Sequence, residues 1–283
     1  MKTVILNNGV RMPLLGAGVF QIDGNSLCEK VVAEALENGY RLIDTASSYL
    51  NEEAVGAAVE NSSVDRNEIF LSTKVWVQDF GYEKTRQSVE NSLRKLKTDY
   101  IDLVLLHQQL SDYYGAWRAL EKLTEEGKVR SIGVSNFYPD RLADLCMNAE
   151  IKPAVNQIEC HPFYQREYDL EVMKRFSVAP MAWAPFAEGG HDIWNNPTLK
   201  SIGEKHGKSV AQIVLRWNIE RGVCVIPKTV REERLKENGC VFDFSLDDGD
   251  REAIRKLDTG KTQIIDHLNV DTVVFLNSHR IHD

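Results

Sequence analysis

Arg41-Leu-Ile-Asp44, Ile69-Phe-Leu-Ser-Thr-Lys74 and Ile101-Asp-Leu-Val-Leu-Leu-His107 are three successive apolar, strand-like runs, each closing on a polar side chain. Helix-like segments separate them, and Tyr49 follows five residues after Asp44. In parallel α/β architectures, ligand sites form where strands end at their carboxyl side. An acid, a phenol, an amine and an imidazole are therefore expected at one mouth. Such a set can hold and move a proton, but it has no electron source of its own, so the pattern asks for a cofactor.

The same alternation extends in both directions. Asn8-Gly9 between two short apolar runs predicts a β-hairpin. Leu14-Leu-Gly-Ala-Gly18 reads as a first strand, and Ser26-Leu-Cys-Glu29 as a capping box opening a helix whose apolar face is Leu27, Val31, Ala35 and Leu36, with Gly39 as its stop. Val89, Leu93 and Leu96 recur at helical spacing before the third run; Trp117, Leu120 and Leu123 do so before Val129-Arg-Ser-Ile-Gly133. Ala154–Ile158, Val178–Trp183 and Val223–Ile226 are further strands, with Val210, Ile213, Val214 and Trp217 marking a helix between the last two.

Eight strand-like runs in 283 residues specify a (β/α)8 TIM barrel more naturally than a doubly wound sheet. The expected organisation is one α/β barrel domain over residues 1–283 with the N-terminal β-hairpin at its base. The tail, about 261–283, lacks strong periodicity and is expected to be extended or partly mobile. Gly16-Ala-Gly18 begins like a dinucleotide fingerprint, but Gln21 stands where the third glycine belongs, so a Rossmann reading fails.

A composition of 43% hydrophobic and 27% charged residues suits a soluble globule, and a net charge of -8 argues against a nucleic-acid surface. The five cysteines are scattered without metal-ligand spacing, which implies reduced thiols in a cytoplasmic protein; no metal site is expected. The start breaks its apolar run too early for a signal peptide, and no apolar stretch is long enough to span a bilayer.

Tyr49 is the natural general acid, with Lys74 expected to lower its pKa from about 10 by favouring the phenolate. Asp44 would hold Lys74 charged, and His107 would orient a carbonyl oxygen. Taken singly, each has an ordinary structural reading as a helix cap, a packed loop side chain, a solvated amine or a core histidine; their joint placement favours function. Ile226-Pro-Lys-Thr-Val-Arg-Glu-Glu-Arg234 brings Lys228, Thr229, Arg231 and Arg234 to a strand-to-helix junction of the kind that binds phosphate. The competing reading there is a solvated basic turn paired with Glu232, Glu233 and Glu237. Trp183 ends a strand and offers an aromatic face, while Ser135, Asn136 and Gln157 close two others with groups that suit a carboxamide or a turn cap.

Gly39-Tyr-Arg-Leu-Ile-Asp-Thr-Ala-Ser-Ser-Tyr49, Ser72-Thr-Lys-Val-Trp76, Ile132-Gly-Val-Ser-Asn-Phe137, Asn156-Gln157 and Ile226-Pro-Lys-Thr-Val230 with Arg234-Leu-Lys-Glu-Asn238 together resemble the aldo-keto reductase superfamily over nearly the whole chain. The resemblance implies a (β/α)8 barrel that reduces carbonyls with NADPH, usually as a monomer and without metal. It makes Tyr49 the proton donor, tuned by Lys74 and Asp44, with His107 orienting the carbonyl. It assigns the nicotinamide carboxamide to Ser135, Asn136 and Gln157, the ring to Trp183, the 2′-phosphate to Lys228, Thr229 and Arg234, and the adenine to Glu237 and Asn238. Further cofactor contacts are expected at Gly18, Val19, Phe20, Asp44, Ala184, Pro185, Phe186, Ile226, Val230 and Arg231. Phe20, Ser48, Trp76 and Gln108 would join Tyr49 and His107 around the substrate. Trp183 and Ala184, where animal members usually carry tyrosine and serine, suggest the bacterial and lower-eukaryote branch that includes 2,5-diketogluconate reductase-like enzymes. Gln108-Gln109 departs from the aromatic or proline common after this histidine. Two other functions stay open: a Schiff-base lyase on Lys74, and an NADP(H)-sensing binding subunit like the potassium-channel β subunits of the superfamily.

Overall fold

The computed structural model describes residues 2–283. A hairpin of β1 (Thr3–Ile5) and β2 (Arg11–Pro13) comes first, with Gly9 at φ 85° in its turn. Eight parallel strands follow among the described residues: β3 (Ala17–Gly18), β4 (Leu42–Asp44), β5 (Phe70–Val75), β6 (Ile101–Leu106), β7 (Val129–Ser135), β8 (Val155–Glu159), β9 (Ala179–Trp183) and β10 (Cys224–Val225). Each pairs with its neighbour in chain order, and a parallel bridge between Leu15 and Val225 joins first strand to last. The helices are α1 (Asn25–Glu37), α2 (Glu52–Glu60), α3 (Tyr82–Lys95), α4 (Tyr113–Glu125), α5 (Pro139–Asn148), α6 (Glu167–Phe176), α7 (Pro197–His206), α8 (Val210–Glu220), α9 (Glu232–Gly239), α10 (Asp248–Arg255) and α11 (Val270–Ser278). The eight runs expected from the sequence are the eight strands of the barrel.

Alternation along β6 shows why the sheet closes. Leu103 and Leu105 pack inside with Leu42, Phe70, Met181 and Cys224, whereas Val104 and Leu106 face the helix layer. Period-two geometry sends successive side chains to opposite faces, and here both faces are apolar because both are covered. Leu6 and Met12 from the hairpin join the inner cluster, and Asn8 Nδ2 donates to the carbonyl of Arg130 at 3.0 Å, just inside β7. The hairpin thus plugs the amino-terminal end of the barrel and leaves the other mouth for chemistry. Gly18 permits the closure: a Cβ there would stand 2.8 Å from the Ile226 carbonyl oxygen.

Two local expectations are corrected. Gly24, at φ 89°, is the N-cap of α1 and no side chain caps it, so Ser26 lies inside the first turn. Val31, Ala35 and Leu36 are buried as expected, but Leu27 is 40% exposed and Cys28, with Val32, takes its place on the buried face. Past residue 260 the chain forms α11, then returns over the mouth. Trp76 Nε1 donates to the His279 carbonyl at 2.9 Å and His282 Nε2 lies 2.8 Å from Asp79 Oδ1.

Candidate active site

β4 and the 3-10 turn after it deliver Asp44 and Tyr49, β5 delivers Lys74, and His107 follows β6. Lys74 is fully buried, and its Nζ lies 2.5 Å from Asp44 Oδ2, 2.8 Å from the Thr45 carbonyl and 3.2 Å from the Tyr49 hydroxyl. An ammonium has three hydrogens, and each has an acceptor here. Asp44 Oδ1 accepts from Ser72 Oγ at 2.9 Å and from Gln157 Nε2 at 3.0 Å, so its charge is also fully solvated by protein. His107 Nδ1 is 3.3 Å from Ser48 Oγ, and its ring lies edge-on to Trp76 and Tyr49.

Burial would lower Lys74, but the Asp44 carboxylate and Tyr49 outweigh it and hold the amine above its usual value. Burial likewise pushes the Tyr49 phenol up, and the opposing Lys74 charge does not cancel it. The net lowering expected from the sequence is therefore not what this buried site produces: desolvation of a phenolate outweighs the adjacent ammonium. Burial, then Lys74 and His267, holds His107 well below the usual imidazole range, so it is neutral.

Lys74 is fully buried and reaches the mouth only through Asp44 and Tyr49; with His107, those two border a cavity of about 810 Å³, large for a small-molecule site. Its far end is the turn after β10, where Lys228 and Arg234 line the wall. Lys228, Arg231 and Arg234 are exposed and form no ion pair among the described residues; Glu232 pairs instead with Lys236 at 2.7 Å. The solvated-turn pairing with Glu232 is thus not formed. Between the two ends, Trp183 Nε1 donates to Asn136 Oδ1 at 2.9 Å, and Asn136 Nδ2 donates to the His107 carbonyl at 3.1 Å. Asn136 (φ 61°) and Ala184 (φ 45°) both sit in the left-handed region, local strain of the sort found at functional sites.

Of the remaining sequence-derived candidates, Gly18, Phe20, Ser48, Trp76, Gln108, Ser135 and Gln157 line this cavity. So do Pro185, Phe186 and Ile226. Val19 is buried in the layer under the helices, Thr229 accepts from the Arg231 N–H at 3.2 Å, and Asn238 is buried; none of these borders the cavity, nor do Val230, Arg231 and Glu237. The sequence reading missed Trp194 in the loop after β9 and Ile265, His267 and His279 from the tail. No local pattern marks which distant loop arches over a mouth; only the excess of aromatic and histidine residues in these segments was available as a signal.

A fold of this kind and a mouth of this composition define a barrel enzyme class, and comparison with known proteins identifies it. Residues 15–259 match the model of the aldo/keto reductase family. The glyoxal reductase of Bacillus subtilis is 46% identical over 256 residues, covering 90% of this chain and 92% of that protein. An aldo/keto reductase structure from Brucella melitensis superimposes with a TM-score of 0.87 at 48% identity, covering 91% and 99% of the two chains. The Bombyx mori aldo-keto reductase in complex with NADP gives 0.89 at 32% identity, covering 94% and 95%. The chain belongs to the aldo/keto reductase family.

Proposed function

We propose that this protein reduces aldehydes or activated ketones to alcohols with NADPH, and that Tyr49 is the proton donor. The observation that carries the reading is the Asp44–Lys74–Tyr49 chain opening, beside a neutral His107, into the cavity that ends at the unpaired cations Lys228 and Arg234. Those cations suit a 2′-phosphate, and Trp183 with Asn136 between them suits a planar carboxamide-bearing ring. NADPH supplies a hydride when bound. The chain's own part is electrostatic and protonic. A Ser48 hydroxyl donating to Nδ1 leaves the hydrogen of His107 on Nε2, free to hold the carbonyl oxygen. Tyr49, kept protonated by burial, gives its proton to the developing alkoxide, and the Lys74 ammonium stabilises the phenolate that remains. All four groups come from a single chain, which supports a monomeric enzyme of one domain. The free thiols support a cytoplasmic location.

A Schiff-base role for Lys74 is disfavoured because its amine is buried, held charged and committed to three acceptors. The test is loss of NADPH absorbance with a panel of aldehydes and diketones, NADH in parallel, for the unaltered protein and Tyr49→Phe. Turnover preferring NADPH, cut by about 10²-fold or more in the variant with NADPH affinity retained, is expected. Near-normal turnover in Tyr49→Phe refutes the donor; tight NADPH binding with no turnover anywhere makes the protein a nucleotide sensor.

A further inference from the structure

The main chain of His107 is held by a side chain from another strand. β7 ends at Ser135, and Asn136 turns out of it at φ 61°, so the His107 carbonyl takes its donor from the Asn136 amide, whose Nδ2 lies 3.1 Å away. The other hydrogen of that amide points to Ser135 Oγ at 3.2 Å, and the Ser135 hydroxyl donates in turn to the Gln157 carbonyl at 3.0 Å. Both donors of the amide are thereby used. Its oxygen accepts from Trp183 Nε1, 2.9 Å away at the end of β9. The His107 N–H reaches the Val75 carbonyl at 3.1 Å, so the residue is gripped from β5 on one side and through Asn136 on the other.

An indole nitrogen only donates and a main-chain carbonyl only accepts. The two ends of the Asn136 amide therefore demand the same orientation, oxygen to Trp183 and nitrogen to His107; the reverse sets oxygen against oxygen and hydrogen against hydrogen. Asn136 is only 9% exposed, so an amide oxygen deprived of the indole N–H has little water to turn to and draws the side chain away from His107. A phenyl ring at position 183 offers a planar ligand an aromatic face but cannot supply that donor. We propose that Trp183 is a positioning residue for His107: its indole N–H, acting through Asn136, fixes the main chain that carries the carbonyl-orienting imidazole, a role separate from any stacking by its ring. That role rests on the reductase reading, in which His107 holds the substrate oxygen.

Two variants separate the N–H from the ring. Trp183→Phe keeps an aromatic face without the donor, and Asn136→Gly removes the amide while accepting a left-handed backbone without strain. In the apoprotein, the 1H–15N spectrum of Trp183→Phe is expected to shift the side-chain amide signals of Asn136 and the main-chain amide of His107. With NADPH and an aldehyde, kcat of Trp183→Phe falls by about tenfold while the NADPH Kd changes by less than about threefold. The double variant is no slower than Asn136→Gly alone, because both changes cut one link. Unmoved His107 and Asn136 signals, losses that multiply in the double variant, or a weakened NADPH Kd with kcat retained each leave Trp183 a stacking platform and overturn the positioning role. An unaltered protein that turns over no aldehyde overturns the reductase reading, and the apoprotein spectra still decide whether Trp183 holds His107.

Discussion

Lys74 gives each of its hydrogens to a protein acceptor, and that is why a charged amine can stand fully buried between two strands. Removing one member of such a pair leaves the other charge without compensation, at a cost of about 3–5 kcal/mol. Lys74→Met is therefore expected to lower stability by that amount and to abolish turnover. Adding Asp44→Asn removes the stranded carboxylate and restores much of the stability without restoring turnover. Urea unfolding and kcat, measured on both variants, check this; joint recovery would make the pair purely structural. The identities of these four residues were legible in the sequence because each ends or follows an apolar run. The direction of the Tyr49 shift was not, since it depends on how much water the finished mouth excludes.

At the level of elements, the turn after β10 combines a close backbone approach with exposed cations. Gly18 lets β3 approach Ile226 closely, and the adjacent residues carry the free cations. Gly18→Ala drives a Cβ against a backbone oxygen that cannot move without opening the closing bridge, so a loss of about 1–3 kcal/mol is expected in urea unfolding. Lys228→Ala with Arg234→Ala is expected to weaken NADPH on the order of tenfold or more while sparing NADH, measured by calorimetric titration. Equal losses for the two nucleotides would remove the 2′-phosphate assignment. Strand positions were readable because a run buried on both faces leaves an unbroken apolar signature. The start of α1 was misplaced because Gly24 makes its turn through backbone conformation alone, which leaves no side-chain cap to read. α11 was invisible for a different reason: Val270, Val274 and Phe275 are exposed and only Leu276 is buried, so it has no apolar stripe.

For the whole molecule, the buried neutral imidazoles couple folding to acid. Above about pH 6.5 the rings of His107 and His267 are neutral whether the chain is folded or not. Below that value the unfolded chain takes up protons that the folded one refuses, so stability falls as pH drops; for His267 the fall continues to about 4. Each ring contributes a slope of up to about 1.4 kcal/mol per pH unit within its window. Urea midpoints followed from pH 7 to 4 are expected to decline, and His267→Phe is expected to flatten that decline. An unchanged slope would mean that the ring is already protonated in the folded state.

His267 belongs to a stretch tied to the barrel on either side of it. Thr262 Oγ1 donates to Glu159 Oε2 at 2.5 Å, the Gln263 N–H donates to Glu159 Oε1 at 2.9 Å, and Gln78 Nε2 donates to the His282 carbonyl at 2.8 Å. The strap is thus stitched to the barrel at both ends, while its middle forms a wall of the cavity. The wall can therefore be altered separately from the strands and turns that carry the four polar groups. Grafting a different sequence onto residues 262–283 is expected to change which aldehydes are turned over while Asp44, Tyr49, Lys74 and His107 stay on their own strands and turns, as a kcat/KM panel on the graft would show.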